Sequence, residues 1–136
     1  MANTELKLAI EITLTKQNLE DMIVTALEGG SNYWYQLGDV PCKAPKNEPL
    51  SIRIANYIWG GGTIPIYDGE NCDGEDESEW DKLGDLSIEN IKVNLVKLIG
   101  DEGYSGRFWN LLREDFDADD ADVIFQYCVM GEVVFG

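Results

Sequence analysis

The chain has 136 residues, 44% of them hydrophobic, and its 26 acids against 10 bases give a formal net charge of −16. That length suits one domain over residues 1–136, with enough apolar side chains to bury a core, which excludes wholesale disorder. The charge disfavours direct contact with DNA, RNA or an anionic membrane, since both surfaces would be negative, and leaves either a basic partner or a plainly solvated acidic surface.

Three cysteines, Cys42, Cys72 and Cys128, are irregularly spaced and form no CxxC pair. They do not read as a disulfide framework. With no histidine in the chain, a structural zinc site and a histidine general base both fall away. No cofactor, no metal and no enzymatic activity are expected. The opening Met-Ala-Asn-Thr-Glu lacks the basic and apolar regions of a signal peptide, and no apolar run approaches a membrane span. A cytoplasmic location follows as the expectation.

From Leu6 to Leu14 apolar residues alternate with Lys7, Ala9, Glu11 and Thr13. Period two predicts a strand with one buried face. Thr15 is the expected N-cap of a helix carrying Leu19, Met22, Ile23, Ala26 and Leu27, stopped by Gly29 and Gly30. The stretch from Ser31 to Pro49 reads as a loop, with the aromatics Tyr33, Trp34 and Tyr35 followed by Pro41, Pro45 and Pro49. A short helix from Pro49 to Trp59 and a glycine turn, Gly60-Gly61-Gly62, precede a strand from Thr63 to Asp68. Pro65 marks that strand as an edge, since proline lacks a ladder donor.

Acids dominate the next stretch: Asp68, Glu70, Asp73, Glu75, Asp76, Glu77, Glu79 and Asp81. It reads as a long hairpin loop into a second strand near Glu79 to Leu83. Ser87 caps a helix ending at Gly100, and one helical turn is expected around Trp109 to Leu112. The last helix is expected to start with Asp119 as N-cap and to end at Gly131, before a final strand from Val133 to Phe135. The predicted fold is one α+β domain: a mainly antiparallel sheet of about four strands with three principal helices packed on it.

Asp115, Asp117 and Asp119 share the D-x-D-x-D spacing of a calcium loop. The sixth position, however, holds Asp120 instead of glycine and the twelfth Gln126 instead of glutamate. A loop begun at Asp73 fails in the same way. The acids suit charge mimicry better: carboxylates can stand in for phosphates in the basic groove of a nucleic-acid-binding protein. The expected surface combines Asp68, Glu70, Asp73, Glu75, Asp76, Glu77, Glu79 and Asp81 with Asp115, Asp117, Asp119, Asp120 and Asp122. The plain alternative for each cluster is a solvated loop. Two other functions stay open. One is a nucleotide-type ligand site using Gly60 to Gly62 with Tyr33, Trp34 and Trp59. The other is self-association through the open edge of Val133 to Phe135.

Three stretches carry a resemblance. They are Ala26-Leu27-Glu28-Gly29-Gly30-Ser31-Asn32-Tyr33-Trp34, then Gly60-Gly61-Gly62-Thr63, and the ending from Asp119 to Gly136. Together they resemble a family of small acidic proteins encoded by phages and prophages of gut bacteria. The family ending is similar to ADVIVQYALFGELVYG, and its middle carries an arginine before GGT where this chain has Trp59 and Gly60. The family brings no activity with it. It implies a phage context, where small acidic proteins often block host defence nucleases. The functional expectation is therefore an inhibitor of a basic nucleic-acid-handling host protein, of anti-CRISPR or anti-restriction type, acting in the host cytoplasm.

Overall fold

The computed structural model describes residues 4–38, 40 and 47–136, so Pro41, Cys42 and Pro45 lie outside the described residues. Among the described residues, five α-helices and a three-stranded antiparallel sheet make an α+β fold. α1 (Lys16–Thr25) begins as the sequence predicts. The Thr15 hydroxyl accepts the Asn18 amide and the Asn18 side chain accepts the Thr15 amide. This reciprocal pair satisfies two amides that a helix start leaves open. The helix then widens into a π-helical turn, Ala26–Gly30, closed by the Ser31 N–H on the Ala26 carbonyl at 2.8 Å. Gly30 is needed there for closeness, because a Cβ would run into the Ala118 carbonyl.

β1 (Tyr35–Leu37) lies inside the stretch predicted as loop; three residues are too few to show a period. α2 (Leu50–Trp59) buries Ile54, Ala55 and Ile58. β2 (Ile64–Asp68) pairs with β1 on one side and with β3 (Lys82–Leu86) on the other, so it is the central strand and not an edge. Pairing with β1 reaches only to Ile66, opposite Leu37, so Pro65 has a strand neighbour on one side alone. Proline tolerates that situation. β3 starts later than the expected Glu79, because the Asp76 side chain caps a 3-10 turn over Glu77–Glu79. A register slip between Ile66 and Tyr67 makes Leu83 an extra residue on β3.

α3 (Ile88–Ile99) runs from its Ser87 cap to Gly100 as expected. α4 (Ser105–Leu112) is a full helix and not a single turn. It ends with the Glu114 N–H on the Leu111 carbonyl at 3.1 Å and the Asp115 N–H on the Asn110 carbonyl at 2.9 Å. This closing pattern needs a left-handed residue, a role that usually falls to glycine; here Glu114 takes it at φ 57°. α5 (Ala118–Met130) is capped by Asp117 and not by Asp119. The Asp117 side chain accepts the Asp120 amide and the Asp120 side chain accepts the Asp117 amide, so the box closes two residues earlier. Gly131 ends the helix at φ 76°.

Two expected strands do not form. Residues 6–14 are extended but have no ladder partner among the described residues, and Leu6, Leu8 and Ile10 stand 87%, 77% and 78% exposed. Alternation chooses which face a segment can bury, but it supplies no neighbour to pair with. Residues 133–135 also pair with no strand among the described residues; the amides of Val134 and Phe135 are taken by a side chain described below.

α5 is the centre of the fold. Its residues from Asp120 to Val129 are all buried, and it packs against α1, α3, α4, the π turn and β3. Trp34, Phe108 and Phe125 are the largest fully buried side chains of the core around it. No helix among the described residues is long and apolar enough to cross a membrane.

Replacing Glu114 by glycine relieves a left-handed backbone that L side chains adopt at a cost of about 1–2 kcal/mol. Glu114→Gly is expected to raise the unfolding free energy by about 1 kcal/mol in a urea melt, after the added unfolded-state freedom of glycine is subtracted.

Candidate partner-binding surface

The loop 68–81 carries eight acids and no base. It is nevertheless well tied. The Asp68 N–H donates to the Asp81 carbonyl at 2.8 Å and the Asp81 N–H to the Asn71 carbonyl at 3.0 Å. Asp68 accepts the Glu70 amide, and Asp76 accepts both the amide and the hydroxyl of Ser78. Short acidic side chains turned onto nearby amides are a common way to build such turns. The hydroxyl and then the amide of Ser78 hold the Asp76 carboxyl below its ordinary value. The Trp80 indole donates to the Gly74 carbonyl at 3.2 Å and its ring meets Tyr67 edge-on. Glu70, Asp73, Glu75, Asp76, Glu79 and Asp81 face solvent, while Asp68 and Glu77 are half-buried.

The second cluster divides. Asp115, Asp117 and Asp119 are exposed. Asp120 is 3% exposed and accepts from Arg107 at 2.8 Å and Asn110 at 3.2 Å. Burial alone would raise its carboxyl, but the hydrogen bonds from Arg107, the Asp117 amide and Asn110, with the Arg107 charge, outweigh it and bring it below the ordinary value. Asp122 is 9% exposed and faces inward. One of its oxygens accepts from the Ser31 hydroxyl at 2.8 Å, the Trp34 indole at 2.8 Å and the Gln126 amide at 3.2 Å. The other accepts from the Tyr33 hydroxyl at 2.6 Å. Asp120 and Asp122, expected on the acidic surface, therefore hold the fold together instead. The physical reason is their position one turn inside a helix buried on every side.

Gln126 continues the network. Its side-chain amide also donates to the Phe135 carbonyl at 3.0 Å, and its oxygen accepts the amides of Val134 and Phe135, both at 2.9 Å. That fixes Phe135 flat against Trp34, with ring centres 5.3 Å apart. Two of the amides expected to form an open edge at Val133 to Phe135, those of Val134 and Phe135, are thus already paired. The sequence did contain a signal for this pair. Asp122 and Gln126 are polar residues four apart, and Val123, Ile124, Phe125, Tyr127 and Cys128 around them are apolar, so both must find buried partners.

The glycine turn does not offer donors to an anion. The amides of Gly60, Gly61 and Gly62 donate to the carbonyls of Asn56, Ile58 and Tyr57 at 3.0, 3.0 and 2.9 Å. Trp34 is buried and Tyr33 is turned onto Asp122, whereas Trp59 borders an apolar groove with Leu14, Leu19 and Ile91. The three aromatics do not line one pocket. Among the described residues no three acids or cysteines gather as a metal-binding group. Burial pushes the Cys128 thiol up to about 12, which keeps it from acting as a nucleophile near neutral pH.

Trp34 joins the two acidic segments. Its carbonyl accepts the amide of Gly69 at 2.7 Å, at the root of the loop, while its indole holds Asp122 at the start of α5. No protein-family model, curated protein or solved structure matches this chain.

Removing the Asp122 carboxylate strands several buried donors at once. Asp122→Ala is expected to cost about 2–4 kcal/mol in a denaturant melt, and Asp122→Asn, which keeps one acceptor oxygen, roughly half as much. A second readout is the Tyr33 phenol. Partial burial, then the hydrogen bond to Asp122 and the charges of Asp122 and Asp119, push it up to about 12, against a lowering bond from Gln126. Burial and the bond it donates to Asp101 push Tyr127 up to about 12 as well. Below the ordinary tyrosine value of about 10 both phenols are neutral in either state, so their contribution to stability is fully present. As pH rises from there to about 12 the unfolded chain loses these protons first, and stability falls. In an ultraviolet phenolate titration, Asp122→Asn should bring Tyr33 back toward the ordinary range and leave Tyr127 in place.

Proposed function

We propose that this chain is a binding protein that occupies the nucleic-acid groove of a basic host-defence protein by charge mimicry. The observation that carries this reading is the loop 68–81. Six of its eight acids face solvent on a backbone held by its own hydrogen bonds, with no base among them. An ordered array of carboxylates loses less entropy on docking than a floppy acidic tail, and it can match phosphate spacing.

Three further features support it. Trp34 ties the root of this loop to the start of α5, where Asp115, Asp117 and Asp119 add exposed charge. Among the described residues two nearby cations form ion pairs with other acids: Lys82 with Asp85 at 2.9 Å and Arg107 with Asp120 at 2.8 Å. Glu114, exposed beside Asp115, keeps its carboxylate at a backbone position that favours glycine, and local strain of that kind clusters at functional sites. The resemblance to small acidic phage proteins suggests the class of target, a nuclease or another defence protein that handles nucleic acid.

The test uses the exposed acids that do not cap turns. The variant Asp73→Asn/Glu75→Gln/Glu79→Gln is compared with the wild type in pull-downs from a bacterial lysate, at about 50 mM and about 500 mM salt, a range over which screening changes strongly. The expected result is capture of a basic nucleic-acid-binding protein at low salt and release at high salt. The variant should capture it at least about tenfold less well, and added duplex DNA or RNA should displace it. Equal capture by the variant, or no competition by nucleic acid, overturns the reading.

A further inference from the structure

Residues 4–14 form an extended arm that ends on the body of the protein. Ile12 and Leu14 pack against the core, and Ile10, Ile12 and Leu14 form one wall of an open groove of about 570 Å³. The other wall comes from Leu95, Val96 and Ile99 of α3 with Phe108 and Trp109 of α4. Leu6, Leu8 and Ile10 belong to the same period-two face, and they remain largely in water. So do Val93 and Val96 of α3, at 59% and 71% exposed. Among the described residues the arm's backbone amides and carbonyls before Thr15 make no ladder to any strand. A row of apolar side chains on a segment that belongs to no ladder is a template for another strand.

The arm's own sequence says which strand fits it. In an antiparallel pairing of two arms centred on Ala9, Lys7 lies across from Glu11 of the second copy, and Glu11 across from its Lys7. Leu8 then faces Ile10, and Leu6 faces Ile12. All the apolar pairs fall on one face and both ion pairs on the other. A slip by one residue would set Leu8 against Ala9 and Lys7 against Ile10, mixing the faces. A slip by two breaks both ion pairs, in one direction setting Glu5 against Glu11. Charge singles out the same segment. Residues 4–14 hold two acids, Glu5 and Glu11, and one base, Lys7, so the arm carries only −1 within a chain of net charge −16. It is a place where two such molecules can meet with little repulsion.

We propose that the arm is one half of a symmetric two-stranded ribbon formed by two copies of this chain, centred on Ala9. In this arrangement Leu6 of each copy covers Ile12 of the other, at the mouth of the other's groove. The dimer is isologous and closes on itself, which leaves the acidic loops outside the contact as two separate binding surfaces. The proposal stands on the arm alone and is independent of what the acidic loop binds.

Sedimentation equilibrium over a concentration series up to about 500 μM gives the dimer dissociation constant. Lys7→Glu and Glu11→Lys each turn two attractive cross-strand pairs into two repulsive ones, and each is expected to raise that constant about tenfold. The double variant Lys7→Glu/Glu11→Lys restores the pairs and should return it to within about threefold of the wild type. Both side chains are exposed, so the fold should not change, and circular dichroism checks this. Register is read by oxidative cross-linking in a background with Cys42, Cys72 and Cys128 replaced by serine or alanine. Ala9→Cys, which faces itself, should cross-link to a dimer, whereas Lys7→Cys should not. Lys7→Cys lies opposite residue 11. A monomer throughout the series overturns the proposal. A dimer that ignores the charge swap, or that cross-links at position 7 as readily as at position 9, overturns it equally.

Discussion

Asp122 and Gln126 sit one turn apart on the inner face of α5, and through them three segments distant in sequence are tied together. The Asp122 carboxylate gathers Ser31, Tyr33 and Trp34 from the segment that follows the π turn. The Gln126 side chain holds the carboxylate, the amides of Val134 and Phe135 and the Phe135 carbonyl. A carboxylate in such a place is unfavourable alone and becomes favourable only with every lone pair engaged. The network therefore specifies one arrangement of three segments distant in sequence. Trp34, Phe125 and Phe135 then close over it, with Trp34 and Phe125 ring centres 5.5 Å apart. The same Trp34 anchors the acidic loop through its backbone. The proposed binding surface is thereby tied to the buried knot.

The surplus of acids is used in two ways. Some are spent on local order: Asp117 and Asp120 cap α5, Asp76 caps a 3-10 turn, and Asp101 receives the Tyr127 hydroxyl, which with the Gly103 amide holds its carboxyl below the ordinary value. These acids face amide or hydroxyl donors, or the positive end of a helix, so their charge is compensated where it stands. The rest are concentrated in loop 68–81, which holds no base of its own, and around Asp115 to Asp119, and like charges so close repel one another. Repulsion among them destabilises the monomer slightly and is relieved when a basic surface docks, which links the uncompensated charge to the proposed function.

The arm and the loop place opposite demands on the surface. The loop is polar, charged and tied by its own bonds, as suits a partner of opposite charge. The arm is largely apolar, carries little net charge and joins no ladder among the described residues, as suits a copy of itself. Mixing the two would set acid against acid in any self-contact. Keeping them on separate segments lets one chain carry both.

The sequence by itself determined where α1, α2 and α3 run and where α5 ends, because those depend on neighbours in the chain, but it showed α4 only as a single turn. Thr15, Ser87, Gly100 and Gly131 stop or start helices where local chemistry says they must. Asp117 displaced Asp119 as a cap only because its partner in the box, Asp120, was itself an acid and not the usual glutamate or glutamine. The hairpin of β2 and β3 and the acidic loop between them were legible for the same reason. Tertiary structure alone decided what each face met. Period two in residues 6–14 said which side chains share a face but not that no strand would lie beside them. Pro65 reads as an edge residue until β1 is seen to stop short of it. Asp120 and Asp122 are indistinguishable from Asp119 in composition. Only the packing of α5 against its neighbours turned two of the three inward, where burial and specific donors changed them from surface charge into structure.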